Sequence, residues 1–188
     1  DKTPDTEAPQ IKSTNINSGS GVKYQADNVS VNVYTNEPSS CRWSRKDASY
    51  VNMEYNMTCS NKIWEVNAEN LYTCGTILTG IKDREDNNFY FRCKDLKENV
   101  MQQSYPFVLR GSQPLTLLNV GPSGIVGGAT STITATLTAS TDNGLDNGRA
   151  TCYFSTIPNN TGVEFVNTKS ITHTQPLDLT NGDYIYYI

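Results

Sequence analysis

Side chains able to do chemistry are few in this sequence, and most of them carry sulfur. Cys41, Cys59, Cys74, Cys93 and Cys152 could ligate a metal, supply a nucleophile or cross-link the chain. Structural zinc modules hold their cysteines in close Cys-x-x-Cys pairs, which this spacing lacks, and the only histidine, His173, lies far from the first four thiols. Nucleophilic catalysis needs a base beside the nucleophile. His173 sits in SITHTQPLDL among Thr and Gln, and reads as a surface or strand histidine. Cross-linking is left, and disulfides imply an oxidising, extracellular compartment. Five is an odd number, so one thiol is expected to lack a mate.

Paired carboxylates can cleave glycosides, but Asp83, Glu85 and Asp86 fall together in KDREDNN, which reads as a solvated turn between strands. TDNGLDNG, Thr141 to Gly148, offers Asp142 and Asp146 as oxygen ligands for calcium. It lacks the downstream bidentate Glu of a helix-loop-helix site, and Asp-Asn-Gly is also what a tight turn with positive φ requires, so a turn is the favoured reading. GPSGIVGG has the composition of a phosphate-cradling loop but no Lys-Ser/Thr after it, and is read as a loop between strands. Sequons at Asn28, Asn56 and Asn159 are candidate glycan attachment points. No catalytic residue and no cofactor are expected.

Strands must position these groups. Only 18% of residues are charged, so the polar surface comes from Thr, Ser and Asn in runs such as TSTITATLTAST, a usage that suits a pleated sheet. QIKSTNI, VSVNVYT, SCRWS, IWEVN, YTCGTILTG, NFYFRCKD and SYPFVLRG are short runs bounded by turn residues, at the spacing of a β-sandwich. In VSVNVYT, Val29, Val31 and Val33 alternate with Ser30, Asn32 and Tyr34. The same alternation in IWEVN puts Trp64 and Val66 on one face, expected in the core, with a binding patch as the other reading. Trp43, two residues after Cys41, is expected in the core as well. The polar residues through Pro9 have no periodicity and read as a linker.

The net charge is −4 with Lys and Arg scattered, so nucleic acid is not an expected partner. No apolar run approaches the roughly 20 residues that span a bilayer, so no membrane contact is expected within this segment. DKTPDTEAPQ is unlike a signal peptide, and the sequence reads as a mature or excised segment.

Beyond Gly111 the pattern begins again. PQIKSTNINSGSG matches PLTLLNVGPSGIVGG, VNVYTNEPSSCRWS matches ATLTASTDNGLDNGRATCYFS, and LTGIKDREDNNFYFRC matches LDLTNGDYIYYI. The reading is all-β: a linker over 1–9, a first immunoglobulin-like sandwich module over 10–110, and a second over 111–188 that lacks its C-terminal strand. Cys152 then corresponds to Cys41, and the place equivalent to Cys93 falls two residues past Ile188, leaving Cys152 unpaired by truncation. Four cysteines in the first copy allow three connectivities. The second copy keeps a match to Cys41 and none to Cys59 or Cys74, which favours Cys41 with Cys93 and Cys59 with Cys74.

At TNEPSSCRWS, LTGIKDREDNNFYFRCKD and the degenerate second copy, the chain resembles the tandem immunoglobulin-like or fibronectin-type-III-like repeats of secreted prokaryotic cell-surface proteins, archaeal and bacterial. The resemblance implies an early cysteine paired with one in a late strand, matched by Cys41 and Cys93 with Lys94 and Asp95 following. It departs from antibody domains, since Trp43 shares a strand with Cys41 and Phe91 lacks the hydroxyl of a tyrosine corner. The implied function is non-enzymatic, an extracellular spacer, adhesive tip or filament subunit that contacts further copies of itself or neighbouring surface modules. The alternative is a carbohydrate- or protein-binding module of a larger secreted protein.

Overall fold

A computed structural model describes residues 5–188, and the chain is all-β. It divides into two compact units between Gly111 and Ser112. In the first unit, β1 (Ile11–Thr14), β3 (Asn28–Thr35), β7 (Tyr72–Thr79) and β6 (Thr58–Cys59) form one sheet in that order. The second sheet runs β2 (Ser20–Val22), β9 (Tyr105–Gly111), β8 (Asp86–Asp95), β4 (Ser39–Ser44) and β5 (Tyr55–Asn56). Alternation decides which faces meet. Val31 and Val33 point inward from β3, and Phe89, Phe91 and Cys93 point inward from β8, each fully buried. They join Cys41, Trp43, Cys74, Leu78, Phe107 and Leu109 in one core, the arrangement of a β-sandwich.

Trp43 ties the two layers together. It is 2% exposed, stacks on Tyr55 at 4.2 Å and meets Phe89 edge-on at 5.7 Å. Its indole Nε1–H crosses from β4 to the opposite sheet and donates to Thr76 Oγ1 at 2.9 Å. Along one edge, β2 pairs with β9 in parallel, Ser20 opposite Leu109 and Val22 opposite Gly111, and the N–H of Gly19 donates to the Val108 carbonyl.

Two sequence expectations for this unit need correction. IWEVN is not a strand: Ile63–Glu65 is a single 3₁₀ turn, and Trp64 is 76% exposed instead of in the core. The alternation was too short to separate a strand from a turn that lifts its aromatic off the sheet. The linker reading for 1–9 also ends early, because Pro9 is fully buried, while residues 1–4 lie outside the described residues. The short β2, β5 and β6 were not anticipated, because two or three residues carry no periodic signal.

In the second unit, β10 (Leu115–Gly121), β11 (Thr132–Asn143) and β14 (Thr172–Thr180) form a sheet in the order β10-β11-β14, which repeats β1-β3-β7. A ribbon of β12 (Tyr153–Phe154) and β13 (Val163–Glu164) lies beside it in sequence. Ser155 pairs with Tyr187 as Ser44 pairs with Tyr90. In unit 1, the residue three places past Tyr90 is Cys93, facing Cys41. Cys152 stands at the matching place and is a free, buried thiol, its pKa pushed up by burial. The core is small: Leu137, Cys152 and Phe165, with Phe154, Leu177, Tyr186 and Ile188 packed against them. TDNGLDNG ends β11 at Asn143 and turns over 144–148, with Asn143, Gly144, Asn147 and Gly148 all at positive φ.

His173 is fully buried in β14, which bears out the strand reading and not the surface one. The Thr141 hydroxyl donates to the Gly148 carbonyl and so accepts from His173 Nε2, while Thr168 Oγ1 lies 2.9 Å from Nδ1. The neutral ring is thereby satisfied, and burial holds its pKa below the ordinary imidazole range. The unfolded chain therefore binds a proton that the folded unit refuses. Stability of unit 2 is full above the unfolded pKa of about 6.5 and declines as pH falls through the lower folded value. Urea midpoints of unit 2 at pH 7.5 and pH 5 should show this loss, and His173→Gln should flatten it.

Candidate functional site

Two features of unit 1 stand out, and β7 shapes both. Outward residues of the β3-β7-β6 sheet form an open groove of about 780 Å³. Ser30 and Asn32 come from β3, Thr58 from β6, Asn56 from β5, and Glu65 from the 3₁₀ turn Ile63–Glu65. Gly75 floors it: a Cβ there would come within 2.8 Å of Asn32 Oδ1. The lining is thus mostly amides and hydroxyls, with one carboxylate, the exposed side chain of Ile77 and Cys59. Trp64, adjacent to Glu65 in the chain, stands exposed with the Lys62 ammonium 5.6 Å from its ring.

Behind the same strands lie the sulfurs. Cys41 and Cys93 face each other across β4 and β8 and are bonded, and Cys59 and Cys74 do the same across β6 and β7. Both pairings are those favoured from the internal repeat. Each bridge therefore lies within one sheet. The sulfur atoms of Cys41, Cys59 and Cys74 all lie within 4.8 Å of one another, so the two bridges meet across the sandwich. Sequence spacing argued against such convergence. The fold achieves it because the chain turns a corner at buried Met57, whose N–H donates to the Cys41 carbonyl and brings β6 beside β4. Joined as disulfides, these sulfurs present no thiolate to a metal. Cys59 is half-buried and lines the groove, whereas Cys41, Cys74 and Cys93 are enclosed.

The remaining candidates are dispersed. Asp83 accepts the Gln25 N–H at 3.0 Å, Glu85 pairs with Lys82, and Asp86 with Arg110, so these acids brace the turn before β8 and its partner strand β9. Asp142 Oδ1 accepts the Asn143 N–H within its turn. Asn28, Asn56 and Asn159 are all exposed. Sequence reasoning missed Asp5, Glu37 and Asp95, whose carboxylate oxygens lie within 4.8 Å of one another. Burial, with Asp5 and Asp95 nearby, raises the Glu37 pKa. Asp95 already accepts from Lys97, Asn99 N–H and Asn99 Nδ2. These three acids stand far apart in the sequence, and no motif signalled them. Among the described residues, no helix is long and apolar enough to cross a membrane.

No protein-family model matches the chain, and no curated protein is significantly similar to it.

Proposed function

We propose that the chain is a non-enzymatic, load-bearing part of an extracellular surface or filament protein, built from two immunoglobulin-like modules. The parallel pairing of β2 with β9 carries this reading. Those strands lie near the beginning and end of unit 1, so tension applied between its ends pulls them in opposite directions along their axes. The hydrogen bonds of the pair are then loaded together, in shear, and do not open one at a time. Two core disulfides suit a module that works in an oxidising compartment, and the exposed sequons suit surface glycans. The apolar residues exposed along β10, Leu115, Leu117 and Val120, support contact with further copies or neighbouring modules.

Single-molecule stretching tests the proposal. Oxidised unit 1 should unfold in a distinct force peak and lengthen by about 180 Å less than the reduced unit, because the Cys41–Cys93 bridge withholds the 52-residue span between its ends. Gly21→Pro, which places a residue with no N–H in β2, should lower that force without changing the far-UV spectrum. A unit that extends without a peak would end the load-bearing reading.

A second reading rests on the exposed indole of Trp64 beside the amide- and hydroxyl-lined groove. Carbohydrate binding uses such pairs of apolar platform and hydrogen-bonding lining. Its signature is retardation of the protein in a polysaccharide gel that Trp64→Ala abolishes without loss of stability.

A further inference from the structure

We propose that the two bridges of unit 1 form one thiol–disulfide exchange site, which opens through the groove and takes a small dithiol or a reducing protein as its substrate. This goes beyond the load-bearing role and does not depend on it. What matters is where the sulfurs lie and which of them can be reached. Cys59 is the half-exposed member, on the groove wall, and the other three are buried. Reaction at a disulfide requires a thiolate to approach one of its sulfurs, so a reductant in solution meets Cys59 first. Next to that bridge, within 4.8 Å of both its sulfurs, lies Cys41 Sγ of the other bridge.

The steps balance. A reductant thiolate attacks Cys59 Sγ, forming a mixed disulfide and expelling Cys74 as thiolate. The Cys74 thiolate attacks Cys41 Sγ, forming a Cys41–Cys74 bond and expelling Cys93, which takes a proton from solvent. The second thiol of the reductant attacks its own mixed-disulfide sulfur and releases Cys59 as a thiol. One dithiol has been oxidised to its cyclic disulfide, and the protein has exchanged two bridges for one bridge and two thiols. The surviving bridge is of a different kind. Both original bridges join neighbours in one sheet, whereas Cys41–Cys74 joins β4 to β7 across the sandwich. Reduction of an accessible bridge thus reaches an enclosed one and moves the staple from within the layers to between them.

The test uses the full chain carrying Cys152→Ala, which removes the only free thiol. Native protein is treated with limiting dithiothreitol, quenched in acid, alkylated and mapped by peptide mass. Chains that have lost one bridge should include a population labelled at Cys93, with Cys41 joined to Cys74 or Cys59. Label confined to Cys59 and Cys74, with Cys41–Cys93 intact in every such chain, would overturn the proposal. In a Cys59→Ala, Cys74→Ala variant, reduction of Cys41–Cys93 should slow by about tenfold or more, since only unfolding then exposes it. An unchanged rate in a folded variant refutes the relay, and if that variant does not fold, the peptide map alone decides.

Discussion

Replacing Cys41 and Cys93 together by Ala should lower the unfolding free energy of unit 1 by about 4 kcal/mol, because the bridge closes a span of 52 residues in the unfolded chain. The same double replacement at Cys59 and Cys74, which close only 15, should cost about 3 kcal/mol. Both bridges join directly opposed residues of paired strands, so removing either one disturbs the native packing in a similar way. The difference then reports on loop length. Urea midpoints of the two variants, read with a probe confined to unit 1, give the comparison. Domains are stable by only about 5 to 15 kcal/mol, so loss of the longer bridge should leave unit 1 marginal. Equal effects would mean that the unfolded chain is already compact around these cysteines. Single replacements are less informative, because they leave an odd thiol beside the other bridge.

Trp43→Ala should be comparably severe, costing about 3 to 5 kcal/mol. The indole is enclosed and packs on two aromatic rings, so its removal leaves a cavity that the sheets can only partly close. It also strips the Thr76 hydroxyl of its indole donor, the polar contact that reaches from β4 to the opposite sheet. Trp43→Phe separates the two contributions. It retains an aromatic ring against Tyr55 and loses the N–H, and should cost about 1 to 3 kcal/mol. Thermal or urea unfolding followed by near-UV circular dichroism reads both. If the two substitutions cost the same, the hydrogen bond and not the packing dominates at this position.

Several features were plain in the sequence because they are local or repeated. Period-two alternation in VSVNVYT set Val29, Val31 and Val33 on one face of β3, the face that the fold turns inward at Val31 and Val33. The doubled pattern on either side of Gly111 singled out Cys41 as the cysteine with a counterpart, and its mate followed from the strand that aligns last. Asp-Asn-Gly read as turn because left-handed backbone is a property of those residues wherever they stand. Trp64 was misplaced, and the burial of His173 missed, for the opposite reason. Five residues of alternation cannot distinguish a strand from a 3₁₀ turn, and nothing near His173 in the chain shows that Thr141 and Thr168 will enclose it from elsewhere.

By itself, then, the order of residues determined an all-β chain and favoured its pairing of cysteines and oxidising surroundings, since strand period and turn chemistry act between near neighbours and the pairing was read from matching copies. Only the packing of one sheet on the other decided that two separate bridges share a space, that one of their four cysteines is partly exposed beside a groove, and that an indole stands clear of the core. Distances between layers depend on where the chain turns its corners and on which side chains fill the gap. Neither quantity is carried by any single stretch of residues.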